Sequence, residues 1–331
     1  MIKVEGLNKT FKVHKKEPGL AGSAKALFKR NYIVKNALED INLNLDEGEI
    51  IGLLGANGAG KTTLIKILSG IIHSSSGNVN IMGHNPWDRH NDYRKSMSVI
   101  MGQKAQLWWD LPPMDGFLLL KEIYQIHHKD FYESIEHLSE ILNVKEQLNI
   151  QVRKLSLGER MKVELIAALL HKPKIIFLDE PTIGLDISAQ KTVRKFIKEY
   201  RKEYNPTMIL TSHYMDDIEE LCPRIAILRA GQKVFDGDLI NLHNQYAKNK
   251  LLKAHVKNEE DLQKLNTQFP SELGTIELAK NEISISSPRA KVMDAARYLL
   301  NNADIIDLNI KEEEISNIVE KIMMKSGDKV E

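Results

Sequence analysis

Gly55-Ala56-Asn57-Gly58-Ala59-Gly60-Lys61-Thr62 fits the spacing G-x-x-x-x-G-K-[ST]. An apolar run at 50–54 precedes it and the helically spaced Leu64, Ile65, Ile67 and Leu68 follow, which is the strand-loop-helix setting the pattern requires. Glycines let a backbone wrap closely around a chain of phosphates, while loop N–H groups and the helix N-terminus supply fixed positive charge. Lys61 is then expected to reach β and γ phosphates, the Thr62 hydroxyl to ligate magnesium, and Thr63 to complete the binding loop. A second run, Ile175-Ile176-Phe177-Leu178-Asp179-Glu180, is a hydrophobic strand ending in two carboxylates. Asp179 suits a second magnesium support, and Glu180 suits acceptance of a proton from water attacking a γ phosphate.

The elements that must hold these residues follow from hydrophobic period. Before residue 60 the apolar positions alternate, as at 1–4 and at Ile41, Leu43 and Leu45, which predicts short strands closing on a buried one at 50–54. Residues 14–35 break the pattern with Pro18, Gly19 and Gly22, so they are expected to form an inserted surface element. Its basic turn, with Lys25, Lys29 and Arg30 beside Leu27 and Phe28, suits a solvated loop better than a membrane contact. Between 114 and 170 the spacing becomes three and four (Phe117, Leu120, Ile123, Tyr124; Ile135, Leu138, Ile141, Leu142), which predicts a helical block. Apolar strands at 175–178, 208–210 and 225–228 alternate with helices and predict a largely parallel, doubly wound sheet. After Asp238 the order restarts as strand, helix, strand, strand, helix, strand. That β-α-β-β-α-β order predicts a small ferredoxin-like α+β domain. A last helix carries Ile315, Ile318, Val319, Ile322 and Met323 on one face, and packing against its own chain is the simplest way to bury that stripe.

Composition narrows the function classes. The 331 residues carry 46 Lys plus Arg against 45 Asp plus Glu, a balance that argues against a duplex-binding surface. A single cysteine, Cys222, cannot form an internal disulfide, and the start MIKVEGLNKT has no apolar signal core, so a reducing cytosol is expected. Apolar runs are far shorter than the ~18 residues a membrane span needs. The eleven histidines show no ligand spacing, so no metal other than nucleotide-bound magnesium is expected.

Between the two carboxylate and phosphate motifs lies Leu155-Ser156-Leu157-Gly158-Glu159-Arg160, which resembles the LSGGQ signature of ATP-binding-cassette (ABC) ATPases. The other marks of that family occur in order: Phe11, Gln103, Gly184-Leu185-Asp186 and Thr211-Ser212-His213. The resemblance covers roughly residues 1–236, and GQKAQLWWDLP with DEPTIGLD and the early insertion is similar to the cassettes of drug and polysaccharide export. It implies an α/β P-loop NTPase fold of the ABC type over 1–236, with a helical subdomain at 114–170 and an accessory domain at 237–331. It implies that Phe11 stacks on adenine, that Gln103 senses magnesium together with Thr62 and Asp179, and that His213 orients Glu180 and water. Ser156 and Gly158 would face the ATP held by the Lys61 loop of a second copy, in a head-to-tail dimer with two sandwiched ATPs, and Asp186 would be a further nucleotide-binding residue. Leu157 and Glu159 depart from the signature, where the family has glycine and glutamine.

The function so implied is the ATP-hydrolysing motor of a transporter, driving export through separate membrane-spanning permease subunits from the inner face of the cell membrane, without nucleic acid. Trp108 and Trp109 follow Gln103 where the family's linker enters the partner-gripping helical block, so at least one is expected at that interface. A soluble ABC ATPase acting on nucleic acid or the ribosome is the alternative, but the chain has neither the long heptad insert nor the second cassette of those classes. A nucleotide-binding regulator without turnover fits less well, because Lys61, Asp179, Glu180 and His213 are all present.

Overall fold

Strand β1 (Ile2–His14) buries Ile2 and Val4 and exposes Lys3 and Glu5, and β2 (Tyr32–Leu45) likewise buries Ile41, Leu43 and Leu45 between exposed asparagines. This alternation gives an antiparallel layer with one face on the core. The computed structural model describes residues 1–14, 32–102, 104–246, 249–279, 282–313 and 315–324. In the first layer β1 lies between β2 and β4 (Ser76–Ile81), antiparallel to both. The β1–β2 pairing runs into the segment expected to be an insertion: Phe11 pairs with Lys35 and His14 with Tyr32. Residues 32–35 are therefore strand, because Tyr32-Ile33-Val34 is a β-branched and aromatic run that suits a pleated surface. The remainder of that insertion, including the basic turn at Lys25, Lys29 and Arg30, lies outside the described residues.

The second layer holds β3 (Ile50–Leu54), β5 (Met97–Met101), β6 (Ile175–Asp179), β7 (Thr207–Thr211), β8 (Arg224–Arg229) and β9 (Gln232–Asp238) in the order β5-β6-β7-β3-β8-β9. From β5 through β8 every pairing is parallel, with Asp179 opposite Thr211 and Gly52 opposite Leu210. Every residue of β3, β6 and β7 is buried, as in a parallel sheet covered on both faces. Helix α1 (Lys61–Leu68) leaves the end of β3, followed by α2 (Asn91–Ser96), α3 (Pro113–Tyr124), α4 (His128–Ile141), α5 (Leu157–Leu169), α6 (Ile187–Tyr204) and α7 (Met215–Leu221). The helical block is α3, α4 and α5, joined by the single turns Glu146–Asn149 and Val152–Lys154. Phe117 is buried as its spacing predicts, but Ile123 is exposed, and so are Leu118 and Leu119, so α3 keeps an apolar face to the outside.

Met1–Asp236 is one compact unit, and a second begins at Gly237. The second holds α8 (Leu239–Tyr246), β10 (Asn249–Val256), α9 (Glu259–Gln268), β11 (Thr275–Ala279), β12 (Glu282–Pro288), α10 (Val292–Asn302), β13 (Ile305–Glu312) and α11 (Ile315–Met324). Its sheet has the order β11-β12-β10-β13 with antiparallel pairs throughout. Leu252, Ala254, Ile283 and Ile285 of the sheet pack with Leu262, Leu265, Ala295 and Leu299 of α9 and α10 as a separate core. On α11, Ile318, Val319 and Ile322 are buried, Ile315 and Met323 are half-buried, and the helix packs against α8 of its own unit.

Candidate active site

Where β3 ends, residues 55–60 curl back over the sheet before α1 begins. Gly55 has φ 153° and Gly60 φ 111°; a Cβ on the first would lie 2.4 Å from the Leu228 carbonyl oxygen, and on the second 2.7 Å from that of Ala37. Only glycine combines that backbone with that approach. Ala59 is buried beneath the loop, whereas Ala56, Asn57 and Gly58 are exposed along its rim. The first turn of α1 has no side-chain cap and no acidic residue, so its N–H groups keep their positive field, with Thr62 and Thr63 half-buried among them. The Lys61 ammonium donates to the carbonyls of Gly55 (2.6 Å) and Ala56 (3.3 Å). Burial pulls its pKa below the ordinary lysine value, and the carboxylates of Glu180 and Asp179 oppose that shift.

The carboxylates arrive from the neighbouring strands. Asp179, the last residue of β6, is buried, and its Oδ1 accepts from the Thr211 hydroxyl at 2.7 Å and the Thr62 hydroxyl at 3.4 Å. Glu180 takes φ 58°, and its N–H donates to the carbonyl (3.0 Å) and hydroxyl (3.1 Å) oxygens of Thr211. That left-handed residue turns the chain off the strand and brings Glu180 Oε1 within 2.9 Å of His213 Nε2, which follows β7. Gly102 donates its N–H to Asp179 O at 2.9 Å, and a Cβ there would come within 2.2 Å of Glu180 O. The next residue, Gln103, lies outside the described residues. Lys61, Thr62, Asp179, Glu180 and His213 thus meet at the carboxyl ends of β3, β6 and β7, the edge at which doubly wound sheets bind ligands.

Ser156, Gly158 and Asp186 form a separate group. Ser156 caps α5 in a reciprocal box with Glu159: the Ser156 hydroxyl accepts from Glu159 N–H (3.3 Å), while Glu159 Oε2 accepts from Ser156 N–H (2.9 Å) and its hydroxyl (2.8 Å). Hydrogen bonds from the Ser156 hydroxyl and then its N–H hold the Glu159 carboxyl below the usual carboxylate range. Asp186 caps α6 by accepting from Ala189 N–H at 2.9 Å, and a Cβ on Gly158 would come 3.3 Å from that of Ala189, so the two helix starts nearly touch. Leu157, in place of the signature glycine, lies against Gly184. Among the described residues no hydrogen bond or ion pair joins Ser156 or Gly158 to the Lys61 loop of the same chain. Phe11 is partly exposed on β1, with the Lys9 ammonium 5.0 Å from its ring centroid.

One functional residue escaped sequence reasoning. Asp217, fully buried on α7, accepts from the hydroxyls of Thr182 and Ser212 (2.6 Å for Ser212) and pairs with Arg194 at 2.9 Å. It fastens the turn after Glu180 to the turn that carries His213. Its signal in the sequence is weak, since an Asp-Asp pair in a helix's first turn is expected from the helix dipole alone. A lysine loop with free N–H groups, a buried carboxylate flanked by hydroxyls and a histidine-bonded glutamate can bind a nucleoside triphosphate and pass its γ phosphoryl to water.

Comparison with known proteins gives the same reading. The sequence profile described as ABC transporter matches residues 38–183. The chain is 30% identical over 210 residues to the ABC transporter ATP-binding protein NatA of Bacillus subtilis, covering 63% of this chain and 85% of that protein. It is 33% identical over 201 residues to the bacitracin transport ATP-binding protein BcrA of Bacillus licheniformis, covering 61% of this chain but only 64% of the relative. In fold it resembles a dimeric ATP-binding cassette solved in a post-hydrolysis state with ADP and Pi, with a TM-score of 0.60 and 22% identity over 72% of this chain and 99% of that one. A phosphate loop, strand-end carboxylates and a histidine gathered on one sheet edge, in a chain that covers most of NatA, place this protein in the ATP-binding-cassette transporter family, as one of its ATP-hydrolysing subunits.

Proposed function

We propose that the chain hydrolyses ATP as one half of a head-to-tail dimer and drives export through separate membrane-spanning subunits, to which it binds on the cytoplasmic face. The observation that carries this reading is the 2.9 Å contact of His213 with Glu180 beside the Lys61 loop. His213 holds the Glu180 carboxylate in one orientation, Glu180 takes the proton of the attacking water, and Lys61 with the loop N–H groups fixes the β and γ phosphates. Phe11 offers an exposed ring for the adenine. The Asp179 carboxylate and Thr62 hydroxyl are oxygen donors suited to a small hard cation, so magnesium would be held there, with Gln103 as a further ligand. Magnesium supplies charge neutralisation at the phosphate oxygens.

The head-to-tail dimer is supported by the separation of the two residue groups, which no hydrogen bond or ion pair joins among the described residues. Ser156, Gly158 and Asp186 present helix N-termini without reaching the Lys61 loop of their own chain, which suits service to the ATP of a second copy. The dimeric cassette with a similar fold supports the same assembly. For the membrane partner, Trp108, Trp109 and Leu111 are exposed, as are Leu118, Leu119 and Ile123 of α3, the kind of apolar surface that marks an interaction site. No helix among the described residues is long and apolar enough to cross a membrane, and the reading assigns the pathway to other chains. The relative named for bacitracin transport supports a drug-like cargo moved outward.

Glu180→Gln tests the reading. The amide keeps the shape without the basicity, so ATP binding is retained, turnover falls by about 10²-fold or more, and an ATP-loaded dimer accumulates on size exclusion. Turnover at the parental rate would remove Glu180 as the base.

A further inference from the structure

Glu164 lies on α5, about 12 Å along the helix from Ser156 at 1.5 Å per residue. It is 4% exposed, although an apolar residue would serve equally well to pack that face. Its carboxylate is spent on two backbone donors. Gln106 N–H lies 2.9 Å from Oε2 and 3.1 Å from Oε1, and Leu107 N–H lies 3.2 Å from Oε1. Burial raises the Glu164 pKa, and the N–H groups of Gln106 and Leu107, then the charge of Arg160, oppose the shift. A buried carboxylate in a helix interior is unfavourable unless charge-assisted hydrogen bonds compensate it, so its placement has a purpose beyond filling space.

The segment it grips opens the tryptophan turn, residues 108–111. The same turn is bound at its far end to the single helical turn that leads into Ser156: Val152 N–H donates to Leu111 O (3.1 Å), Arg153 N–H to Trp109 O (3.0 Å), and the Arg153 guanidinium pairs with Asp110 at 3.0 Å. The guanidinium of Arg160 covers the Trp109 ring at 5.3 Å. Both indoles remain about half exposed, at 52% and 50%. The turn and α5 are therefore laced together at both ends, while the outer face of the turn stays open.

We propose that Glu164 is a positioning residue that fastens the tryptophan turn to α5, so that a displacement of α5 driven by nucleotide at its Ser156 end is delivered to Trp108 and Trp109. This rests on the reading above that Ser156 meets the ATP of a second copy. Among the described residues the hydrogen bonds of Glu164 run to Gln106 and Leu107 and none to the phosphate loop or the Glu180 turn, so the part assigned to it is transmission and not hydrolysis.

The chain holds three tryptophans, and Trp87→Phe in the full-length protein leaves Trp108 and Trp109 as the only reporters. In that background with Glu180→Gln added to stop turnover, ATP and magnesium are expected to change indole emission while dimer forms on size exclusion, and basal ATPase is measured in the matching chains that keep Glu180. Glu164→Ala should lose the emission change at an unchanged half-saturating ATP concentration and with basal ATPase kept. Glu164→Gln, which retains one acceptor oxygen and the side-chain volume, should keep the parental melting temperature and part of the emission change. A full emission response in Glu164→Ala would overturn the inference, and so would loss of ATP binding in a stably folded Glu164→Gln chain. A reference chain that dimerises with ATP but shows no emission change would overturn the transmission and leave the motor function standing. One that binds ATP without dimerising would remove both.

Discussion

Glu180 adopts a backbone conformation that costs a side-chain-bearing residue roughly 1–2 kcal/mol, and two hydrogen bonds from its N–H to Thr211 hold it there. The other half of that support is an absence of atoms: Gly102 passes so close to the Glu180 carbonyl that even a methyl group has no room. Gly102→Ala would push the turn away from β5 and move the carboxylate relative to His213. We expect its kcat to fall by about 10²-fold, the effect of an ångström-scale misplacement, while KM for ATP stays near the parental value. Steady-state ATPase assays check this, and an unchanged kcat would show that the turn tolerates the shift. The signature departures act at the same scale. Glu159, where the family has glutamine, closes the capping box on Ser156, and Leu157 finds room by lying over Gly184.

Among the elements, α7 is the one whose importance the sequence conceals. Its Asp217 joins two turns and the helix α6 through Thr182, Ser212 and Arg194. Asp217→Asn would leave the buried Arg194 charge with Glu220, which is partly exposed to solvent, as its remaining counterion in place of the buried pair, and we expect about 3–5 kcal/mol of destabilisation in denaturant unfolding. A loss below about 1 kcal/mol would mean that the existing pair with Glu220, 3.0 Å from Arg194, is enough to compensate the charge. The contrast with α1 explains what can be read in advance. The phosphate loop, β3 and β6 are contiguous patterns whose chemistry and period coincide, so Lys61, Thr62, Asp179 and Glu180 were legible from spacing alone. His213, Ser156 and Asp186 needed the family resemblance. Asp217 and Glu164 are hidden because the partners that define them are distant, Arg194 and Thr182 at 23 and 35 residues from Asp217 and Leu107 and Gln106 at 57 and 58 from Glu164, and no local rule states which buried acid will meet which donor. The start of β2 is not legible from pattern alone, because Pro18, Gly19 and Gly22 mark a break whose end no local rule fixes, although Tyr32-Ile33-Val34 is a strand-forming run.

At the scale of the whole molecule, each unit has its own hydrophobic core, as independently folding domains do. An apolar stripe left open on α11 would give the second unit a surface for, and so a role in, dimerisation, but Ile318, Val319 and Ile322 are buried and α11 packs against α8 of the same unit. We therefore predict that a chain ending at Asp236 in the Glu180→Gln background melts cooperatively and still forms the ATP-dependent dimer. Loss of that dimer on size exclusion would restore the role. The first unit also holds a feature that bears on how this family diversifies. Strands β1 and β2 stay paired out to His14 and Tyr32, so the ends of whatever joins them are already held together by the ladder. Lengthening a loop whose ends are so closed costs little, about 0.6 kcal/mol for each doubling. That ribbon can therefore gain or shed sequence over evolution while the parallel strands beneath it keep the catalytic register.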